Sequence, residues 1–155
     1  MNKKVNEIFK IANIHADRIK LALQHIGNLF PITASVVANM GENDLVWIEL
    51  FVVRFGKLQD LIGAKLINIF LEEQQESNEQ LTILDKINIL EKLGIIESSE
   101  LWKEMRAIRN HVAHEYPDAP ELTAKYLNQL FNLTPQLLDI LDKLKKKMLK
   151  EQATY

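Results

Sequence analysis

Cysteine is absent from the 155 residues, which excludes disulfides, thiolate metal sites and a cysteine nucleophile. Glycine (5) and proline (4) are scarce, so sandwiches and barrels built from many tight turns are disfavoured. A phosphate-cradling glycine loop is missing, which argues against nucleotidyl transfer by the chain itself. Long uninterrupted apolar runs are missing too. The most apolar region, 45–71, contains Glu49, Arg54, Lys57, Asp60 and Lys65, so no membrane span is expected. The first residues, MNKKVNEIFK, lack the apolar stretch and cleavage site of a signal peptide. Charge of one sign is not in excess either, with 19 basic against 21 acidic residues. That balance argues against a bulk electrostatic binder of nucleic acid but leaves room for a local basic site. A soluble, cytoplasmic protein is expected.

What the chain does have is apolar residues at helical spacing. Apolar types make up 47% of the sequence, and a single domain over 1–155 should bury about 70% of its extended-chain surface. Val5, Ile8, Phe9 and Ala12, then Ile19, Ala22, Leu23 and Ile26, recur at three and four, predicting a first helix over 5–29. Pro31 and the stretch 33–43 break the pattern. Asn43 or Asp44 is the expected cap of a long helix to about Gln74, with Gly56 and Gly63 on nearly one face, where another helix could approach closely. The tract EEQQESNEQ (72–80) reads as a solvated helix end and loop. A short helix over 81–93 should stop at Gly94, with Ile95 packing back. Ser98 or Ser99 should cap the next helix, and Pro117 should end it near Tyr116. Pro120 opens the last helix, which Pro135 should kink. No strand pattern and no repeat is present. The expected fold is all-α, an antiparallel up-and-down bundle of about five helices.

One segment is chemically richer than packing requires: Arg109 to Pro117, RNHVAHEYP. On a helical wheel Leu101, Met105, Ile108 and Val112 form the core stripe. Arg109 and Tyr116 lie on one edge of it, about 20° apart, and Arg106, Asn110 and His114 form a polar ridge on the far side. The five-residue step from Arg109 to His114 turns about 140°, so one ideal helix does not aim both at a point. Arg109 reaching round, a last turn distorted by Pro117, or a second copy of the helix across a two-fold axis would each bring them together.

Arginine is permanently charged and clamps phosphate with two donors. Histidine takes or gives a proton near neutral pH. Together they suit cleavage of a phosphodiester beside a ribose 2′-hydroxyl, with no metal required. A salt-bridged arginine, with Asp60 or a glutamate, and a histidine complementing a helix dipole are the structural alternatives.

The spacing Arg109-Asn110-x-x-x-His114-x-Tyr116 resembles the Arg-x4-His-x-Tyr motif of HEPN-domain proteins, specifically the HepT-like toxins paired with minimal nucleotidyltransferase antitoxins. The resemblance extends over RFGKLQDLIG (54–63), the LGII break (93–96) and the capped SSELW start (98–102); the first helix and the C-terminal tail are less distinctive. It implies a HEPN-like homodimer whose motif helices meet at a composite cleft. It further implies a metal-independent endoribonuclease, without cofactor, that is toxic when unrestrained. By the same resemblance Arg109 binds the scissile phosphate, His114 is general acid or base, and Asn110 orients one of them. Tyr116 matches the tyrosine that the cognate antitoxin adenylylates. The rival expectation is a non-catalytic subunit that presents a nucleotide or substrate to a minimal nucleotidyltransferase.

Other signals are weaker. His111 and His114 stand three apart, but a third metal ligand is not evident. Asp60 could pair with Arg109 or help set His114. His15 and His25 have no partner pattern. Trp47 and Trp102 read as core or dimer contacts, and the lysines of KLKKKMLK (143–150) as a solvated helix end.

Overall fold

A computed structural model of the chain describes residues 3–74, 80–114 and 116–152, with side chains to residue 148. Among these the chain is all-helical. Helix α1 (Lys3–Ile26) leads through a 3₁₀ turn (Gly27–Leu29) to the short α2 (Ala34–Ala38). Helix α3 (Glu42–Leu61), a π-helical turn (Ile62–Leu66) and α4 (Ile67–Glu73) form one continuous rod. Helices α5 (Ile83–Lys92), α6 (Ser99–Ala113) and α7 (Pro120–Gln152) complete the described chain. There are thus six helical rods rather than about five. The extra one is α2, inside the stretch 33–43 that the sequence marks as a break. The Thr33 hydroxyl accepts the Val36 N–H at 3.2 Å and starts that turn.

The remaining helix ends follow their local chemistry. Helix α3 starts two to three residues earlier than expected, capped by the extended Gly41 rather than by Asn43 or Asp44. Glu42 and Asp44 instead sit in its first turn, where their charge suits the helix dipole. Thr82 and Asp85 form a reciprocal capping box on α5. Gly94 takes φ +75° after α5, and Ile95, 1% exposed, donates its N–H to the Leu90 carbonyl at 2.9 Å. Ser98 is the cap of α6, its hydroxyl accepting the Leu101 N–H at 3.1 Å. Pro135 lies within helix α7, which continues on both sides of it; the hydroxyl of the preceding Thr134 donates to the Leu130 carbonyl, one turn back, at 2.9 Å. Of the polar tract 72–80, residues 75–79 lie outside the described residues.

One core joins the rods. Ile8, Phe9, Ile19 and Ile26 of α1 meet Phe51, Phe55, Leu58, Ile62, Leu66 and Phe70 of the long rod, with Leu130, Leu137 and Leu144 of α7 closing the third side. Each such side chain contributes about 1.5–3 kcal/mol by leaving water. Helices α1 and α3 run antiparallel: the His25 ring stacks on Trp47 at 3.9 Å, while His15 meets Arg54 further along. Asn128 ties α7 to the 29–33 connection, accepting the Ile32 N–H at 2.7 Å and donating to its carbonyl at 2.9 Å. No helix among the described residues is long and apolar enough to cross a membrane.

The His15–Arg54 contact has a pH consequence. Arginine only donates, so at 3.1 Å the His15 Nδ1 must accept, and the ring is neutral with its proton on Nε2. Burial, then the charges of Arg54 and Lys57, hold the His15 pKa below 6.5. A neutral histidine with a depressed pKa supports the fold above the unfolded-state value and loses that support as pH falls through the folded value. Histidine NMR titration should place His15 below 6.5, and Arg54→Gln should move it upward.

Candidate functional site

Helix α6 lies against the long rod at two close approaches. A Cβ added at Gly56 would stand 3.0 Å from Nε of Arg109, and one added at Gly63 would stand 3.1 Å from Cζ2 of Trp102. Moving seven residues up one helix moves seven down the other, so the pair is antiparallel and in register. The close helix contact expected at the two glycines is present, and its occupants are an arginine and a tryptophan. The π turn begins at Ile62 beside the second approach. It adds a residue to the turn locally and offsets the rod beyond it.

Between the two approaches a cavity of about 400 Å³ is lined by Gln59, Asp60, Gly63 and Ala64 of the rod, Ile83 of α5, and Trp102, Arg106, Arg109 and Asn110 of α6. The α6 residues fall at i, i+4, i+7 and i+8, one continuous helix face. Arg106 and Asn110 therefore share a face with Arg109 instead of forming a separate far-side ridge. The buried face of α6 is correspondingly rotated: Trp102, Met105 and Ile108 are buried, whereas Leu101 and Val112 are half-buried.

Arg109 is clamped by Asp60. Its Nη1 donates to Oδ1 at 3.0 Å and its Nη2 to Oδ2 at 2.8 Å, a two-point fork. The side chains are 35% and 58% exposed, so water screens the pair and its net contribution to stability is at most about 1 kcal/mol. Both oxygens of Asp60 face the guanidinium, so Asp60 pairs with Arg109 and not with His114. Asn110 lines the cavity but hydrogen-bonds to neither Arg109 nor His114, so in this conformation it orients neither. Arg106 is exposed and makes no ion pair or hydrogen bond among the described residues.

The motif divides at the helix end. Helix α6 stops at Ala113, three residues before Tyr116, and His114 is already extended at φ −83°, ψ 142°. The helical projection that set Tyr116 beside Arg109 therefore does not apply. The last turn is non-helical, yet His114 is not among the residues that line the cavity with Arg109, so the described chain does not by itself bring the two together. His114 is exposed and meets Tyr116 edge-on at 6.5 Å. His111 stacks face to face on Tyr126 of α7 at 4.3 Å, and Tyr116 tilts against the same Tyr126 at 5.9 Å. These four rings seat the segment after α6 on α7. Glu115 lies outside the described residues. No group of three or more His, Asp or Glu among the described residues is placed to hold a metal ion.

Sequence reasoning missed Gln59. It is 2% exposed, and neither amide atom has a hydrogen-bond partner among the described residues. Its signal was present but faint: a polar residue midway between two glycines on a helix face. Trp102, expected as a core or dimer contact, is buried at the cavity wall with its indole N–H equally unpaired.

Two substitutions check this geometry. Arg109→Ala should shift stability by no more than about 1 kcal/mol in chemical denaturation, because the ion pair it removes is exposed. Gly56→Ala should leave the protein folded, since a guanidinium at the end of a flexible side chain gives way. It should nevertheless change the Arg109 Nε–H NMR signal as the fork is pushed off Asp60.

No family model, no curated protein and no solved structure matches the chain.

Proposed function

We propose that the protein is a metal-independent endoribonuclease of the HEPN type, active as a homodimer and restrained by a minimal nucleotidyltransferase partner as the toxin of a toxin–antitoxin pair. The observation that carries this reading is the presentation of Arg109: a preset two-point fork at the mouth of a cavity, held by an exposed carboxylate. Carboxylate and phosphate are the two-point partners of guanidinium. Asp60 therefore orients the fork until a phosphate takes its place. The free Arg106 adds a second positive charge at the same mouth. His114, released from the helix and exposed, is free to approach a ribose hydroxyl.

In the reaction His114 accepts the proton of the 2′-hydroxyl, and O2′ attacks phosphorus. The bond from phosphorus to O5′ breaks, and O5′ leaves with a proton from a second histidine. In a two-fold arrangement that is His114 of the second copy. Arg109 stabilises the charge on the non-bridging oxygens. The products are a 2′,3′-cyclic phosphate and a 5′-hydroxyl. An apolar ridge supports the dimer: Val46 and Val53 are 61% and 50% exposed, and with Asp60 they follow one another at seven-residue steps along α3. A second copy seated on that ridge reaches the Asp60–Arg109 pair at its end. Tyr116, next to His114, is where an added nucleotide would bring bulk and negative charge to the site.

The near-neutral net charge of −2 favours a second reading, a partner-docking module that binds a nucleotide without cutting RNA. Incubation with total RNA in excess chelator separates the two. Cleavage with 2′,3′-cyclic phosphate ends is expected, falling about 10²–10⁴-fold in His114→Ala and comparably in Arg109→Ala, with both variants folded. Intact RNA, from protein whose mass shows Tyr116 unmodified, would favour the docking module. A requirement for added metal would overturn the metal-free mechanism.

A further inference from the structure

Four buried side-chain polar atoms lack a hydrogen-bond partner among the described residues, and three of them belong to two residues that line one cavity: Nε2 and Oε1 of Gln59 and Nε1 of Trp102. The fourth, on Gln129, is elsewhere. Buried polar groups are ordinarily paired, so a cluster of three implies something that pairs with them. The Gln59 and Trp102 side chains are 2% and 4% exposed, and both line the cavity that Arg106, Arg109 and Asn110 also line.

We propose that this cavity is a base-recognition subsite that takes a pyrimidine, with the adjoining phosphate at Arg106. Naming RNA as the source of that base rests on the ribonuclease reading; the pairing chemistry does not. The three atoms provide two donors, the Gln59 amide nitrogen and the Trp102 indole N–H, and one acceptor, the Gln59 amide oxygen. The pairing edge of uracil or cytosine carries two acceptors and one donor, the complement of that set. Guanine presents two donors and one acceptor there and would set donor against donor. Adenine, with one donor and one acceptor on that edge, would satisfy Gln59 but leave the indole N–H unpaired.

The walls suit a flat ring. Gly63, Ala64, Ile83 and the Trp102 ring provide apolar surface, and a volume of about 400 Å³ is within the range of small-ligand sites. Since the three polar atoms have almost no exposed surface of their own, a base reaches them as Gln59 turns toward the cavity. That rotation is open to a side chain with three rotatable bonds and no hydrogen bond to break. The free Arg106 stands one helical turn from both Trp102 and Asn110 and is placed for the phosphate, so Arg109 need not serve both the bound nucleotide and the scissile bond.

The test uses the full chain carrying Trp47→Phe, which leaves Trp102 as its lone tryptophan. Its fluorescence is followed on titration with the 3′-monophosphates of uridine, cytidine, adenosine and guanosine. Both pyrimidine nucleotides should bind about ten-fold or more tightly than the guanosine nucleotide, as a well-paired base edge discriminates by that amount. Gln59→Leu should erase the preference, Trp102→Phe (read by isothermal titration) should reduce it, and Arg106→Ala should weaken all four nucleotides alike. Phosphate-dependent binding retained in Gln59→Leu shows that the variant is folded. Equal binding of the four nucleotides, or a preference unchanged in both Gln59→Leu and Trp102→Phe, overturns the proposal. A second arm maps cleavage of mixed-sequence RNA oligonucleotides in chelator, where cuts should cluster beside pyrimidines and lose that bias in Gln59→Leu. Pyrimidine-selective nucleotide binding without cleavage upholds the subsite and sinks the ribonuclease reading. Cleavage indifferent to base, with no nucleotide preference, does the reverse.

Discussion

The site depends on how closely α6 can lie on the long rod, and two glycines set that distance. A methyl at Gly56 or Gly63 would press on Arg109 or Trp102 at 3.0–3.1 Å, tighter than side-chain packing tolerates without displacement. Because the glycines are seven apart, both approaches use the same face of the rod, and the antiparallel register follows from matching two contacts rather than one. Everything between them is placed as a result. Gln59 is shut into the interface, and Asp60, one residue on, is rotated about 100° to the outer edge, where it meets Arg109. The π turn then offsets the far half of the rod next to the Trp102 approach.

Stability and chemistry are consequently carried by different groups. Met105, Ile108 and Trp102 fasten α6 to the core through buried apolar surface, and the Ser98 cap fixes where it begins. The Arg109–Asp60 fork is too exposed to add much to the fold. Its effect is geometric: it holds a long, rotamer-rich side chain in one orientation at the cavity. Gln59 is the opposite case, a buried amide without a hydrogen-bond partner among the described residues, which costs the fold stability.

The end of α6 sets a second constraint. Four rings, His111, His114, Tyr116 and Tyr126, gather where the helix stops; the His111 stack holds the last turn of α6 to α7, and the tilted Tyr116 contact holds the segment after it. This segment is therefore positioned by packing rather than by hydrogen-bonded helix. A residue leaving a helix can point where no wheel projection would put it. It also sets His114 and Tyr116 together, so a modification of one would crowd the other.

Much of this protein was legible in the sequence because helices announce themselves locally. Apolar periodicity marked the rods, Gly94 and Ser98 marked ends that depend only on neighbouring residues, and the paired glycines marked a close approach. The arginine, histidine and tyrosine were likewise conspicuous as residue types at a proline-stopped helix end. What the tertiary structure decided is which of these groups face each other. Whether Arg109 meets Asp60, and whether Arg106 shares a cavity with it, depends on the rotation of α6 against a rod 49 residues away in sequence, and no local pattern encodes that. The end of α6 at Ala113, three residues short of Tyr116, was not legible from Pro117 alone. Gln59 looked like an ordinary helix residue until a second helix covered it, because burial is a property of the neighbour and not of the residue.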